Sequence, residues 1–454
     1  MSANFELNKE YLDLIKEAIE SGKDTFLKDQ LADLHKADIA EIIDKVNLEE
    51  AKYLFKLIPK DNAAGTLLEL EEEMREKLLS SFTSKEIATK INDMDTDDAT
   101  DVIGELSEDK KQEVLSFLED KKQAIDIADL LNYDEDTAGG LMAKEMIKVK
   151  HDWTVARCIR EMRKQAEDVS NIYTVYVVDE QDRLLGTLPL KKLLFNPSSL
   201  RTTIENVYMD NVISVKVHQD AEEVAKMMEK YDLVVLPVVD DDNKLLGRIT
   251  IDDIVDVIKE EAEKDYQMAS GISEKVTTSD SAWLLTRARI PWLVIGMIGG
   301  ILGSRIIGRY EEQIQIHPEL AFFIPLIAAM GGNAGVQSSA IVVQGLANKT
   351  IDFQTIASKL LKELLVGLMN GIMCSLLILV YTLIFNDSVN LALTAAVSLL
   401  SVVIYASFFG TLIPLLLDRY KIDPAVATGP FITTLNDVVG IFIYFFIARM
   451  MYGI

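Results

Sequence analysis

Residues 425–448 read AVATGPFITTLNDVVGIFIYFFIA, and in these 24 positions the single charged side chain is Asp437. As a helix the stretch is long enough to cross the hydrocarbon core of a bilayer, which takes ~20 apolar residues. A carboxylate at that depth costs ~2.5–3.5 kcal/mol on insertion scales, so it is expected to face protein, water or an ion rather than lipid. Helical spacing puts Pro430, Thr433, Thr434, Asp437 and Gly440 on one face, with Phe431, Leu435, Phe442 and Phe446 mostly on the other. The small, polar stripe reads as a pore or packing surface. The plainer alternative is an Asp buried by a hydrogen-bonding neighbour helix.

Four more apolar stretches precede this one: one from about Ile290, then Leu320–Val343, Leu364–Phe385 and Leu391–Leu417, giving five spans with Ala425–Ala448. The first carries Gly296, Gly299, Gly300 and Gly303, small residues that let helices approach closely. With the N-terminus inside, the cytoplasmic flanks hold Arg287, Arg289, Lys349, Lys359, Lys362, Arg419 and Lys421, against Arg305, Arg309 and Arg449 outside. That excess predicts an N-in, C-out topology.

Charge divides the chain sharply. Residues 1–289 hold 38 Lys and Arg against 63 Asp and Glu, whereas residues 290–454 hold 8 against 9. An acidic soluble half is therefore followed by an apolar membrane half, and the acidic half is expected in the cytoplasm. The excess argues against nucleic acid, whose phosphates need basic surface, and for cations as partners. Cys158 and Cys374 fall in different halves and imply no disulfide framework. The start, MSANFELNKEY, shows neither a basic n-region nor an apolar run, so no signal peptide is expected. No Gly-rich phosphate loop, nucleophile elbow or HExxH occurs, and the chain is not expected to be an enzyme.

Residues 1–131 read as helices throughout, with DIAEIIDKVN (38–47) repeated as DATDVIGELS (98–107) at an offset of 60. Asn47 and Ser107 are expected N-caps, and the pattern predicts a small α-helical superhelical stack. Asp93, Asp95, Asp97, Asp98 and Asp101 crowd one loop, as helix N-terminal charge or as a cation site. In residues 137–256 the texture changes to short β-branched runs. VYVVDEQDRLLG (175–186) and LPVVDDDNKLLG (236–247) align at an offset of 61. Each unit is helix, strand, acidic turn, strand, helix, and the pair resembles a tandem α/β cystathionine-β-synthase-type (CBS) module. Such modules often bind adenosine nucleotides at G-x-x-T-x-x-D. The second unit has it as Gly247, Thr250 and Asp253, whereas the first has Gly186, Pro189 and Lys192. One ATP-type site, or an empty structural cleft, is expected. From Asp252 an amphipathic helix leads to the membrane, as a linker or a lever.

In the second span, MGGNAGVQSSA (330–340) puts Asn333 and Gln337 one turn apart, with Gly332, Gly335 and Ser339 expected on or beside the same face. Oxygen-only ligands point to a hard cation. One carboxylate per chain suits Mg2+, which sheds water reluctantly. A two-fold axis beside this face would bring two copies of Asp437 around one dication.

GGNAGVQSS, DPAVATGPFITTLNDVVG, the CBS pair and YDEDTAGGLM (133–142) together resemble the MgtE family of magnesium channels, over nearly the whole chain and in the family's domain order. The resemblance implies a helical domain at 1–131, CBS units at 137–200 and 201–258, a connecting plug helix at 259–285 and an all-α five-helix transmembrane domain at 286–454. It implies a homodimer in contact with membrane lipid, multi-pass in the plasma (inner) membrane, with its pore on the two-fold axis between the second and fifth spans. Asp437 would hold hydrated Mg2+, Thr433 would help through its carbonyl, and Asn333 would line the path. Intracellular Mg2+ sites would fall at Asp97, Asp101, Asp220, Asp232, Asp253, Asp256, Glu261 and Asp265. The sequence departs from the family at Lys264, where an acid is expected beside Asp265, and at Gly65, where a Glu is usual. The expected function is a Mg2+ channel gated by internal Mg2+. The alternatives are a proton- or sodium-coupled divalent cation transporter, an intramembrane aspartyl protease, which needs two carboxylates in one site, and a membrane-anchored sensor without conduction.

Overall fold

The computed structural model describes residues 5, 7–167, 169, 171–195, 201–278, 280–347, 356–386, 388–427 and 429–453. It divides into two bodies, Met1–Lys259 and Glu260–Ile454.

The first body opens with ten short helices: α1 (Lys9–Glu20), α2 (Asp24–Ala32), α3 (Lys36–Asp44), α4 (Leu48–Leu57), α5 (Lys60–Glu69), α6 (Glu72–Ser81), α7 (Ser84–Ile91), α8 (Thr96–Gly104), α9 (Glu108–Phe117) and α10 (Lys121–Leu130). The repeat appears in the helix starts, since α3 and α8, and α4 and α9, begin 60 residues apart. Alternate helices stack, α3 on α5, α5 on α7 and α7 on α9, with α2, α4 and α6 as the second layer. Ile39, Ile43, Ala99 and Ile103 fill equivalent places in one apolar core. Asn47 caps α4 by accepting from the amides of Glu49 and Glu50 at 3.0 Å, and Glu50 reaches back to the Asn47 amide. Ser107 occupies the N-cap position of α9, but its side chain makes no capping bond.

The chain then forms β1 (Ile147–Lys150), α11 (Val155–Gln165), β2 (Val175–Val178), β3 (Leu184–Leu188) and α12 (Leu190–Phe195), followed by β4 (Val215–Lys216), α13 (Ala221–Lys230), β5 (Val235–Val239) and β6 (Leu245–Thr250). Each three-stranded sheet has one parallel and one antiparallel pairing. The offset of 61 is visible in the backbone: Asp182 and Asn243 occupy matching left-handed turn positions, at φ 63 and 66. The two units exchange equivalent bonds, Leu184 N–H to the Asn243 carbonyl and Leu245 N–H to the Asp182 carbonyl, both 2.9 Å.

Helix α14 (Ile251–Ala269) carries the chain into the second body, continuing past residue 258 without a break. There α15 (Ala282–Arg309), α16 (Glu311–Ile316), α17 (Ile324–Ala347), α18 (Ile356–Phe385), α19 (Val389–Arg419) and α20 (Gly429–Tyr452) follow. Among the described residues five helical stretches are long and apolar enough to cross a membrane. Lys349, used above for orientation, lies outside the described residues. The fifth helix starts later than its apolar run: Pro424–Ala427 form a separate 3-10 turn, and α20 begins at Gly429 with φ 50. Pro430, which lacks an amide hydrogen, suits a first turn and not a helix interior. Beyond the polar stretch, Tyr310 stacks on Phe445 at 4.9 Å, and the buried Tyr444 hydroxyl donates to the Leu320 carbonyl at 2.8 Å.

Candidate ion path and cation-sensing surface

Asp437 lies in the first half of α20, partly buried, above a gap in α17. A methyl group placed on Gly332 would sit 3.5 Å from Asp437 Oδ1 and from Thr433 Cγ2. On its other side Asp437 borders a cleft of about 340 Å³ lined by Gly299, Gly300 and Gly303 of α15 together with Thr434 and Ile441. A side chain at Gly299 would overlap Thr434, so this glycine of α15 is what lets α20 approach. The Thr433 hydroxyl donates back to the Gly429 and Pro430 carbonyls at 3.2 and 3.0 Å. The small stripe divides: Asp437 and Thr434 border the cleft, while Gly440 is buried against Val402 of α19.

Helix α17 sorts its polar residues differently from the sequence expectation. Asn333 and Gln337 are exposed, whereas Gly332, Gly335 and Ser339 are buried on the side that meets its neighbours. Close packing selects the smallest residues for the inner side, leaving the amides on the outer one. Two residues escaped sequence reasoning. Glu363, just outside the third apolar run, accepts from the buried Ser338 hydroxyl at 2.6 Å. Asn436 is fully buried, with both polar side-chain atoms unpartnered among the described residues. Its signal was its place beside Asp437, and the one-face reading passed over it.

The turn after α14 meets the start of α20. Gly271 has φ 81, and a Cβ there would lie 2.6 Å from Pro430 Cγ, while one on Gly429 would overlap the Ala269 carbonyl. The Ser273 amide donates to the Ala288 carbonyl of α15 at 2.9 Å. The C-terminal end of α14 is thereby fitted against the N-terminal parts of two spans.

In the first body the acids gather around the start of α8. Thr96 donates through its amide and its hydroxyl to Glu145, at 3.1 and 2.8 Å, fixing that helix end on the segment before β1. Arg248, buried in β6, approaches Asp95 at 3.7 Å. Burial, and next the charge of Asp253, push Asp97 well above the usual carboxylate range. Burial and Asp253 likewise push Asp98 up to about 7. Burial raises Asp253 itself to about 6, despite the bonds it accepts from the Thr250 amide and hydroxyl. Asp101 shifts in the same direction, but it is exposed at the rim, where water screens it. Such mutual repulsion is what a bound dication would relieve.

The remaining sensing candidates are dispersed. Asp220 caps the start of α13 by accepting from the Glu222 amide at 2.9 Å, and Asp232 follows the end of the same helix with φ 51. At ~1.5 Å per residue the two stand too far apart for one ion to touch both within a chain. Asp256 is exposed one turn beyond Asp253. Glu261 and Asp265 belong to the second body, and Glu261 is paired with Lys264 at 3.0 Å, the residue that replaces an expected acid. At Gly65 a side chain would overlap Lys36. Among the described residues no three His, Cys, Asp or Glu side chains are grouped tightly enough to hold a metal by themselves. In the nucleotide motif, Gly247 admits the Ala143 carbonyl, which a Cβ would meet at 2.7 Å, and Thr250 bonds to Asp252 and Asp253.

These shifts set a pH dependence. A carboxyl whose folded pKa is raised favours the compact form below its unfolded value of ~3.9, and that advantage is lost as pH rises through the folded value. Without Mg2+, protease protection of the N-terminal half should fall from about pH 4 to about pH 7, between the unfolded value and the folded values of Asp253 and Asp98. Mg2+ added at pH 8 should restore it. Protection that ignores pH in EDTA would show that these acids do not oppose compaction.

The divalent cation transporter family MgtE matches residues 324–447, the MgtE intracellular N domain residues 34–136, and CBS domains residues 138–198 and 204–260. The chain is 32% identical to the magnesium transporter MgtE of Bacillus subtilis, over 90% of this chain and 93% of that one. It is 32% identical to the magnesium transporter MgtE of Thermus thermophilus, over 96% and 97%. A solved cytosolic domain of the Mg2+ channel MgtE in complex with ATP matches at 32% identity with a TM-score of 0.50, over 54% of this chain and 99% of that one.

Proposed function

Because the chain belongs to the MgtE family of magnesium transporters, a multi-pass membrane family with a cytosolic N-terminal domain, we propose that it is a plasma-membrane Mg2+ channel closed by Mg2+ on its cytoplasmic side. The observation that carries this reading is Asp437, the carboxylate deep in the fifth span, placed beside a cleft and over Gly332 and, among the described residues, against no cationic partner. Mg2+ keeps most of its water and needs only one or two carboxylates. Asp437 would accept from that water shell, and the Thr433 carbonyl and Asn333 would complete the path. Exposed amides such as Asn333 and Gln337 are costly against lipid. A second copy of the chain would cover them and place two Asp437 carboxylates around one dication, in a homodimer with the remaining spans against lipid.

Gating would work through the acids. Cytoplasmic Mg2+ would neutralise Asp97, Asp101 and Asp253, with Asp220, Asp232, Asp256, Glu261 and Asp265 as further ligands, and would hold the soluble part compact. Helix α14, fitted through Gly271 against Pro430, would then pass its position to the start of α20. Flux in proteoliposomes driven by a Mg2+ gradient alone tests the channel reading. A requirement for a proton or sodium gradient would favour coupled transport instead.

ATP is proposed at the CBS pair, by likeness to the ATP-bound cytosolic domain. Asp253 would accept from ribose hydroxyls beside Gly247 and Thr250. Calorimetry on the full chain should show weaker ATP binding for Asp253→Ala than for the parent. No heat from the parent at millimolar nucleotide would remove this site. Asp253 is also a candidate Mg2+ ligand, so the two ligands should alter each other's affinity reciprocally.

A further inference from the structure

Asn436 is fully buried in the second body, and among the described residues neither its Oδ1 nor its Nδ2 has a hydrogen-bond partner. A carboxamide offers two donors and two acceptor sites, and buried polar groups nearly always use at least one. Asn436 precedes Asp437 by one position, about 100° round α20. Glycines of α17 open the slot that receives it. A Cβ on Gly335 of α17 would overlap Asn436 Nδ2, and one on Gly331 would lie 3.9 Å from the Asn436 Cβ. Behind Gly335 stands Gly410 of α19, where a Cβ would come within 2.5 Å of the Gly335 carbonyl. An apolar side chain of the same size would fill this slot without stranding a polar group. The amide is mismatched to its surroundings here.

We propose that Asn436 is a second polar residue of the ion path, parked in the α17 slot in this arrangement and presented to the ion's water shell when α20 moves relative to α17. The inference rests on Asp437 being the path's carboxylate. A neutral amide suits the role, because it can donate to and accept from hydration waters without adding charge beside Asp437.

The test is Mg2+ flux in proteoliposomes, measured against Mg2+ on the side of the N-terminal domain, with the melting temperature of each variant. Asn436→Leu removes the amide but fills the slot. Its flux should fall about tenfold or more while its melting temperature is retained or raised, because the parked arrangement loses its polar penalty. Gly335→Ala expels the amide and should act in the opposite direction, sustaining flux at Mg2+ concentrations that close the parent. That gain should vanish in Gly335→Ala combined with Asn436→Ala. Parent-like flux in Asn436→Leu would overturn the proposal, and so would a joint loss of flux and melting temperature, which indicates packing alone. Asp437→Ala, run in parallel, separates the two claims: normal flux there removes the pore reading itself, whereas its loss beside a parent-like Asn436→Leu removes only the role of Asn436.

Discussion

Asp437→Ala should lower Mg2+ flux by about 10–100-fold in proteoliposomes while the protein still inserts and its soluble half melts as in the parent. A hydrogen bond to a charged group contributes ~1.5–3 kcal/mol, and each ~1.4 kcal/mol is a factor of ten. If two copies line one path the losses compound, and flux should approach the background of empty vesicles. Asp437→Asn keeps the size and removes the charge, so it should be nearly as inactive. Asn333→Ala should cost less, about 2–10-fold, because a neutral hydrogen bond contributes only ~0.5–1.5 kcal/mol. Near-normal flux in Asp437→Ala would mean that its carboxylate serves helix packing and that the path runs elsewhere.

The second large effect is loss of closure. Two like charges ~6 Å apart repel by about 3 kcal/mol at an effective dielectric of about 20. Asp253 raises the pKa of both Asp97 and Asp98, and Asp98 raises that of Asp97, so several such pairs oppose compaction of the soluble part. Moving a two-state equilibrium from 1:99 to 99:1 takes ~5.5 kcal/mol of differential binding, which a few bridged pairs can supply. Neutralising Asp97, Asp253 and Asp256 together removes ligands of the bridging ion but leaves Asp95, Asp98, Asp101 and Asp252 to repel. That triple Asn variant should remain active at millimolar internal Mg2+, and Mg2+ should no longer protect its N-terminal half from protease beyond an equal ionic strength of Na+. Closure at the parent's Mg2+ concentration would make the acidic surface a solvating one.

Periodicity and charge made much of this molecule legible. The five apolar runs, the 60-residue helical repeat and the 61-residue CBS offset all depend on spacing, and Asp182 and Asn243 show that the offset holds to the single residue. What spacing cannot carry is which side of a uniformly apolar helix packs where. Asn333 and Gly335 seemed to share a face, yet close helix approach drew the glycine inward and left the amide exposed. The start of α20 slipped to Gly429 because the connecting turn needs a left-handed residue against Ala269. Among the acids, proximity in space decided the grouping: Asp97 and Asp253 meet across more than 150 positions, while Asp220 and Asp232 stand at opposite ends of one helix. Glu261 had its partner, Lys264, on its own helix.

The most direct test of Mg2+-closed conduction is the flux of the parent chain in oriented proteoliposomes, with no proton or sodium gradient, as Mg2+ on the side of the N-terminal domain is raised through the millimolar range. The expected result is flux down the Mg2+ gradient that falls steeply as that Mg2+ rises, beyond the decline in driving force. Flux that tracks the driving force alone, or that appears only with a proton or sodium gradient, would contradict it.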